Sequence, residues 1–239
     1  MFYLPKAAFA ILVAAVLALA GHEWARLCGL RHGASLIYAV FVTLGFASAY
    51  FHSDHRGLFT VAAVFWVIVA PLWMVRGVRS EHRIALSVAG FAVLVPAGVA
   101  MAALPPWVVL SILVLVWIAD TAAYFVGRAV GRRKLAPSIS PGKTWEGAAG
   151  GVGGALAYAI ICGTLIEGTA WVPYLLAAAL IASLSVVGDL FESAAKRQAG
   201  AKDSGTLLPG HGGILDRIDS VTAALPVAAL WLPFVTRHT

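Results

Sequence analysis

Eight stretches of the chain are almost wholly apolar, and each is close to the length a helix needs to cross a bilayer, about 17–25 residues. They are Ala7–Gly21, Leu36–Phe51, Leu58–Val75, Ile84–Leu104, Trp107–Val126, Gly147–Ile166, Trp171–Val187 and Val221–Val235. Water is a poor solvent for such a chain. Only 12% of its 239 residues are charged, against roughly 25% in a soluble domain, and the mean hydropathy is +0.88. The expected fold class is all-α: a polytopic transmembrane helical bundle of about eight spanning helices. Several segments are short, and Trp24, Trp107, Trp145, Trp171 and Trp231 near their ends suit the headgroup layer that completes the crossing. The first two segments are short enough to form a re-entrant pair instead. Lys6 followed by an apolar run ending Ala18-Leu19-Ala20-Gly21 resembles a signal peptide, but seven further spans and the polar His22-Glu23-Trp24 favour a retained helix. Glu23 is expected to cap a helix end or to pack.

Basic residues orient the bundle. Of the seventeen Lys and Arg, only Lys6, Arg56 and Arg237 fall on one side. The rest lie in the connections after the first, third, fifth and seventh segments, which should face the cytoplasm, with both termini outside. The two long polar loops, Gly127–Glu146 and Gly188–Ser220, are both on the cytoplasmic side. A net charge of +6 placed in this way points to topology and anionic ligands, and no nucleic-acid partner is expected. Residues 1–104 form an N-terminal set of helices, and residues 105–239 form a C-terminal region that holds the polar loops. Cys28 and Cys162 lie at or within apolar runs without metal-ligand spacing, so two buried thiols are expected. The glycines Gly147, Gly150, Gly151, Gly153 and Gly154 are expected to let helices approach closely.

The chemistry concentrates in the second loop. It reads Ser193-Ala-Ala-Lys196-Arg197, then Lys202-Asp203-Ser204-Gly205, Pro209-Gly210-His211-Gly212-Gly213 and Asp216-Arg217-Ile218-Asp219-Ser220. Asp216 and Asp219, three apart, share a face if helical. Hard carboxylate oxygens suit Mg²⁺, which binds through one or two carboxylates together with substrate phosphates. The glycines let backbone amides come close to an anion. A solvated loop with surface ion pairs is the plainer alternative, since such pairs contribute only about 0–1 kcal/mol. Asp189 and Asp219 argue against it, because both stand at helix ends where an unused charge is costly. Asp120 lies inside the fifth segment, where an acid is a functional candidate by default; a supporting role is expected before direct metal binding. In the first loop, Arg132, Arg133 and Lys134 suit phosphates, anionic headgroups or simple anchoring. Gly142-Lys143-Thr144 is not a P-loop ending, because Pro137 stands where that motif needs glycine. His211 is equally well read as a ligand or as a turn residue.

These residues resemble the phosphatidate cytidylyltransferases, or CDP-diacylglycerol synthases. The family's C-terminal signature is met by Ser193, Lys196, Arg197, Lys202, Asp203, Pro209 through Gly213, Asp216, Arg217 and Asp219. Its upstream pattern is met by Asp120, Ala123, Tyr124, Gly127, Arg128, Gly131 and Ile139 through Gly147. Ala195 departs from the larger apolar residue usual in the signature. The resemblance covers about the C-terminal half and implies transfer of the cytidylyl group from CTP to phosphatidate, releasing pyrophosphate. It implies Mg²⁺ on Asp189, Asp216 and Asp219, with a second cation and Asp120 as further options, and catalytic roles for those three acids and Lys143. Substrate contacts are implied for Ser140, Ser193, Lys196, Arg197, Lys202, Asp203, Gly210, His211, Gly212, Gly213 and Arg217. The implied setting is a bacterial inner membrane with the site facing the cytoplasm; a homodimer is left open. A CTP-dependent lipid kinase and a membrane transporter are the competing readings.

Overall fold

The computed structural model describes residues 4–207, 210 and 212–235. Its elements are α1 (Lys6–Leu27), α2 (His32–Tyr50), α3 (Arg56–Val64), α4 (Ala70–Arg76), α5 (Arg83–Ala103), α6 (Pro106–Val130), β1 (Lys134–Ala136), β2 (Ser140–Thr144), α7 (Trp145–Thr164), α8 (Trp171–Gln198) and α9 (Leu215–Val235). A π turn over Phe65–Val69 joins α3 to α4 as one continuous helix, Arg56–Arg76. Pro71 explains the widening, because it has no N–H to return to the preceding turn. Among the described residues seven helices are long and apolar enough to cross a membrane, and α9 carries the eighth predicted segment. At 22 and 19 residues, α1 and α2 are each long enough to cross, so the re-entrant arrangement is set aside.

Two predicted boundaries move. α8 does not stop at Val187 but runs to Gln198; Leu190, Phe191, Ala194 and Ala195 continue its buried face. The Glu192–Lys196 pair, one turn apart at 3.3 Å, supports that extension, and the basic residues at its end suit the helix dipole. Gly200, at φ +68°, then terminates the helix. Gly200 N–H donates to Arg197 O and Ala201 N–H to Lys196 O, the paired bonds of a Schellman end, which needs a left-handed residue. α6 likewise extends to Val130, and most of the first predicted loop is an antiparallel hairpin, β1–β2. Most of the first long polar loop and both ends of the second are therefore regular structure.

The predicted halves share one core. Phe191 of α8 packs against Trp24 of α1 and against Phe65, Trp66 and Trp73 of the π-bulged helix, with ring centroids 5.3–6.1 Å apart. The α6–α7 contact depends on small residues as expected. A Cβ at Gly147 or Gly151 would lie 2.8 Å from the carbonyl oxygens of Ala123 and Ala119. Gly153 instead faces open space. Both cysteines are free, Cys28 buried and Cys162 partly so.

Candidate active site

Helix direction alternates along the chain, so the C-terminal ends of α6 and α8 meet the N-terminal ends of α7 and α9. They enclose a chamber of about 740 Å³ lined by Asp120, Asp189, Asp216 and Asp219 and by Arg128, Lys134 and Lys143. It is recessed. Asp120 lies ten residues before the end of α6, which at 1.5 Å per residue is about 15 Å along the helix. Toward the opposite end the same helices line a separate, apolar cavity of about 400 Å³ beside Trp107, Tyr158 and Trp231.

The hairpin forms one wall. Glu146 accepts from the backbone N–H groups of Arg132 and Arg133 at 3.1 Å, tying the base of the hairpin to α7. Thr144 caps α7, its Oγ1 accepting from Gly147 N–H at 3.1 Å. Between these anchors, β2 carries Ser140 and Lys143 into the lining. Lys143 Nζ is 2.6 Å from Asp189 Oδ2, and Ser193 Oγ, one turn on, donates to the other oxygen at 3.3 Å.

Asp216 is held from several directions. Lys196 Nζ donates to its Oδ1 at 2.7 Å. Its Oδ2 accepts from Ser204 N–H at 2.9 Å, Ser204 Oγ at 3.0 Å and Gly213 N–H at 2.8 Å. Asp219 is bonded by Ser220 N–H, and Ser220 Oγ lies 3.5 Å from Asp120 Oδ2.

Six predicted residues thus meet in one lining: Asp120, Ser140, Lys143, Asp189, Asp216 and Asp219. Ser193 stands behind Asp189. Lys196 is 8% exposed and occupied with Asp216 and Glu192, outside the lining. Arg197 also lies outside it and pins the hairpin, donating to Ile139 O at 3.3 Å and to Ala201 O at 3.2 Å. Lys202, Asp203, Gly210 and Arg217 are exposed beyond the lining. Gly212 and Gly213 form the turn against Asp216. Pro209 and His211 lie outside the described residues.

Glu192 was not singled out in the sequence. It is 2% exposed, lies beside Asp219, and is paired with Lys196 at 3.3 Å. Its spacing from Asp189 and Lys196, three and four residues on one helix, was the available signal.

The donor set fits a hard cation. Four acids and three bases line the chamber, leaving an excess of carboxylate oxygen, with Glu192 behind it sharing Lys196 with Asp216. Among the described residues no three His, Cys, Asp or Glu side chains are grouped closely enough to hold an ion alone. Asp189 and Asp219 in one lining are hard oxygen donors of the kind Mg²⁺ takes, one or two at a time beside water and substrate phosphate.

Fold and chamber together define an integral membrane protein with a charge-lined polar site set among its helix ends. The chain belongs to the cytidylyltransferase family, whose profile matches residues 1–235. Phosphatidate cytidylyltransferase of Pseudomonas aeruginosa is 41% identical over 96% of this chain and 90% of its own length. The Haemophilus influenzae protein of the same name is 48% identical over 54% of this chain and 46% of its own. The Bacillus subtilis one is 48% identical over 47% and 42%. The family resemblance read from the two motifs is borne out.

Proposed function

We propose that the protein transfers the cytidylyl group of CTP to phosphatidate, forming CDP-diacylglycerol and pyrophosphate. The observation that carries this reading is the convergence of Asp120, Asp189, Asp216, Asp219 and Lys143 on one chamber among helix ends. A water-soluble nucleotide can enter there while a lipid phosphate arrives sideways from the leaflet. An oxygen of the phosphatidate phosphate forms a bond to the α-phosphorus of CTP, and the bond from that phosphorus to the bridging oxygen breaks. Pyrophosphate leaves with the electron pair. The attacking phosphate is already ionised at neutral pH, so a strong base is not needed.

Electrostatics is then the main requirement. Lys143 would face the triphosphate, and Arg128 and Lys134 would add positive charge along the same wall. Lys196 would act by holding Asp216, and Arg197 by holding the hairpin; Lys202 and Arg217 would supply positive charge outside the chamber. Asp189 and Asp219, with Asp216 beside them, would hold Mg²⁺, and Asp120 is the acid left for a second cation. The metal would neutralise phosphate charge and steady the leaving pyrophosphate. The basic-residue count supports a chamber open to the cytoplasm, and the bacterial relatives support an inner membrane as its setting. The separate apolar cavity at the far end of the same helices favours an enzyme over a transport path.

The test is CTP turnover by purified protein in mixed micelles with phosphatidate, with both products measured. Equal amounts of CDP-diacylglycerol and pyrophosphate, lost in EDTA and restored by Mg²⁺, are expected. A phosphorylated lipid without nucleotide would instead assign a lipid kinase.

A further inference from the structure

The first helix reaches the site. Glu23, near the end of α1, is 4% exposed and sits against the turn that carries the second motif. Its Oε1 accepts from Ile214 N–H at 3.0 Å, and its Oε2 accepts from Leu215 N–H at 2.8 Å and Ser204 Oγ at 3.0 Å. The first N–H groups of a helix have no partner within it and are usually met by a Ser, Thr, Asp or Asn just ahead. Ile214, which precedes α9, has no side-chain oxygen. The cap comes instead from a carboxylate 191 residues away from Ile214, and its negative charge suits the positive end of the α9 dipole.

The same contacts lead to Asp216. Ser204 Oγ lies 3.0 Å from both Glu23 Oε2 and Asp216 Oδ2, so one hydroxyl stands between the two carboxylates and donates its single proton to either. Two glycines of this loop, Gly205 and the motif's Gly213, are explained by this approach. A Cβ at Gly205 would lie 2.5 Å from Glu23 Oε1, and one at Gly213 would collide with Glu23 Oε2 and Ser204 Oγ.

We propose that Glu23 is a positioning residue for the reaction: by gripping Ser204, Ile214 and Leu215 it fixes the start of α9 and so the placement of Asp216 and Asp219 in the chamber. The inference rests on the reaction proposed above. It gives the N-terminal helices a part in turnover as well as in anchoring.

The experiment compares Glu23→Ala, Glu23→Gln and Trp24→Phe in the full chain. Hydrogen–deuterium exchange of the 204–215 segment is read beside kcat and KM for CTP, each corrected for folded protein. Trp24→Phe removes a bond from the same turn, Trp24 Nε1 to Leu86 O at 2.8 Å, that does not touch the site. For Glu23→Ala we expect faster exchange confined to that segment and at least a tenfold loss in kcat/KM for CTP. Glu23→Gln, which keeps one acceptor, should fall between. Trp24→Phe should lower thermal stability without changing the kinetic constants per folded molecule. Unchanged constants in Glu23→Ala, or a loss equal to that of Trp24→Phe, would overturn the proposal. Failure of the proposed reaction itself is separable, because it would appear as absent CDP-diacylglycerol in the unsubstituted protein.

Discussion

Lys143→Ala tests the chamber most directly. The ammonium is 2.6 Å from Asp189, with side chains 25% and 31% exposed. A unit pair about 4 Å apart interacts by about 4 kcal/mol at an effective dielectric of about 20. Partial exposure reduces the ground-state share to roughly 2 kcal/mol, between the values of surface and buried pairs. The variant leaves Asp189 with Ser193 Oγ at 3.3 Å and adds one uncancelled negative charge to a lining that already holds four acids. The triphosphate must approach that surplus. Removing one donor aimed at developing anionic charge costs about 2.7–4 kcal/mol in characterised sites, so a loss of about 3 kcal/mol, or roughly 100-fold in kcat, is expected here. Lys143→Arg should recover part of it. The assay is pyrophosphate release at saturating phosphatidate with CTP varied, on protein whose thermal midpoint has been checked. Activity within about fivefold of the parent would refute the reasoning, since it would mean that Lys143 serves only to neutralise Asp189.

Asp219→Asn should lower Mg²⁺-dependent turnover by about 100-fold or more, the scale of one lost electrostatic contact in the transition state; full Mg²⁺-dependent activity would remove this residue from the metal assignment. Thr144→Val keeps shape but loses the α7 cap to Gly147 N–H, a cost of about 1 kcal/mol, and a drop of about 2–4 °C in the thermal midpoint should report it. At Gly188 a Cβ would lie 2.6 Å from Asp219 O. Gly188→Ala should therefore destabilise by about 1–3 kcal/mol and displace Asp219, so both thermal midpoint and kcat should fall; a stable, fully active variant would show that the α8–α9 contact yields freely.

The apolar segments were legible because lipid imposes one requirement, a satisfied backbone over a fixed thickness, and a run such as Ile84–Leu104 meets it without help from the rest of the chain. The motif acids were legible for a related reason: Asp120 and Asp189 are expensive where they stand unless used. The end of α8 was harder to read. From Gly188 onward its polarity suggests a loop, and only packing of Leu190, Phe191, Ala194 and Ala195 on neighbouring helices keeps it helical. The hairpin was hidden by a proline-rich basic stretch whose order comes from Glu146 holding the amides of Arg132 and Arg133. Glu192 gave only a spacing signal within its helix. For Glu23 even the expected capping role left the partner open, since its N–H donors lie on a helix near the other end of the chain.

The depth of the chamber has a consequence for how two substrates from different phases meet. Asp120 stands about 15 Å along α6 from its end, so the reacting phosphates on the proposed reaction come together within the helix bundle and not at its rim. The lipid then never has to leave its leaflet or expose its chains to water. The nucleotide would instead come to the lipid, entering among charged walls that replace the hydration it gives up.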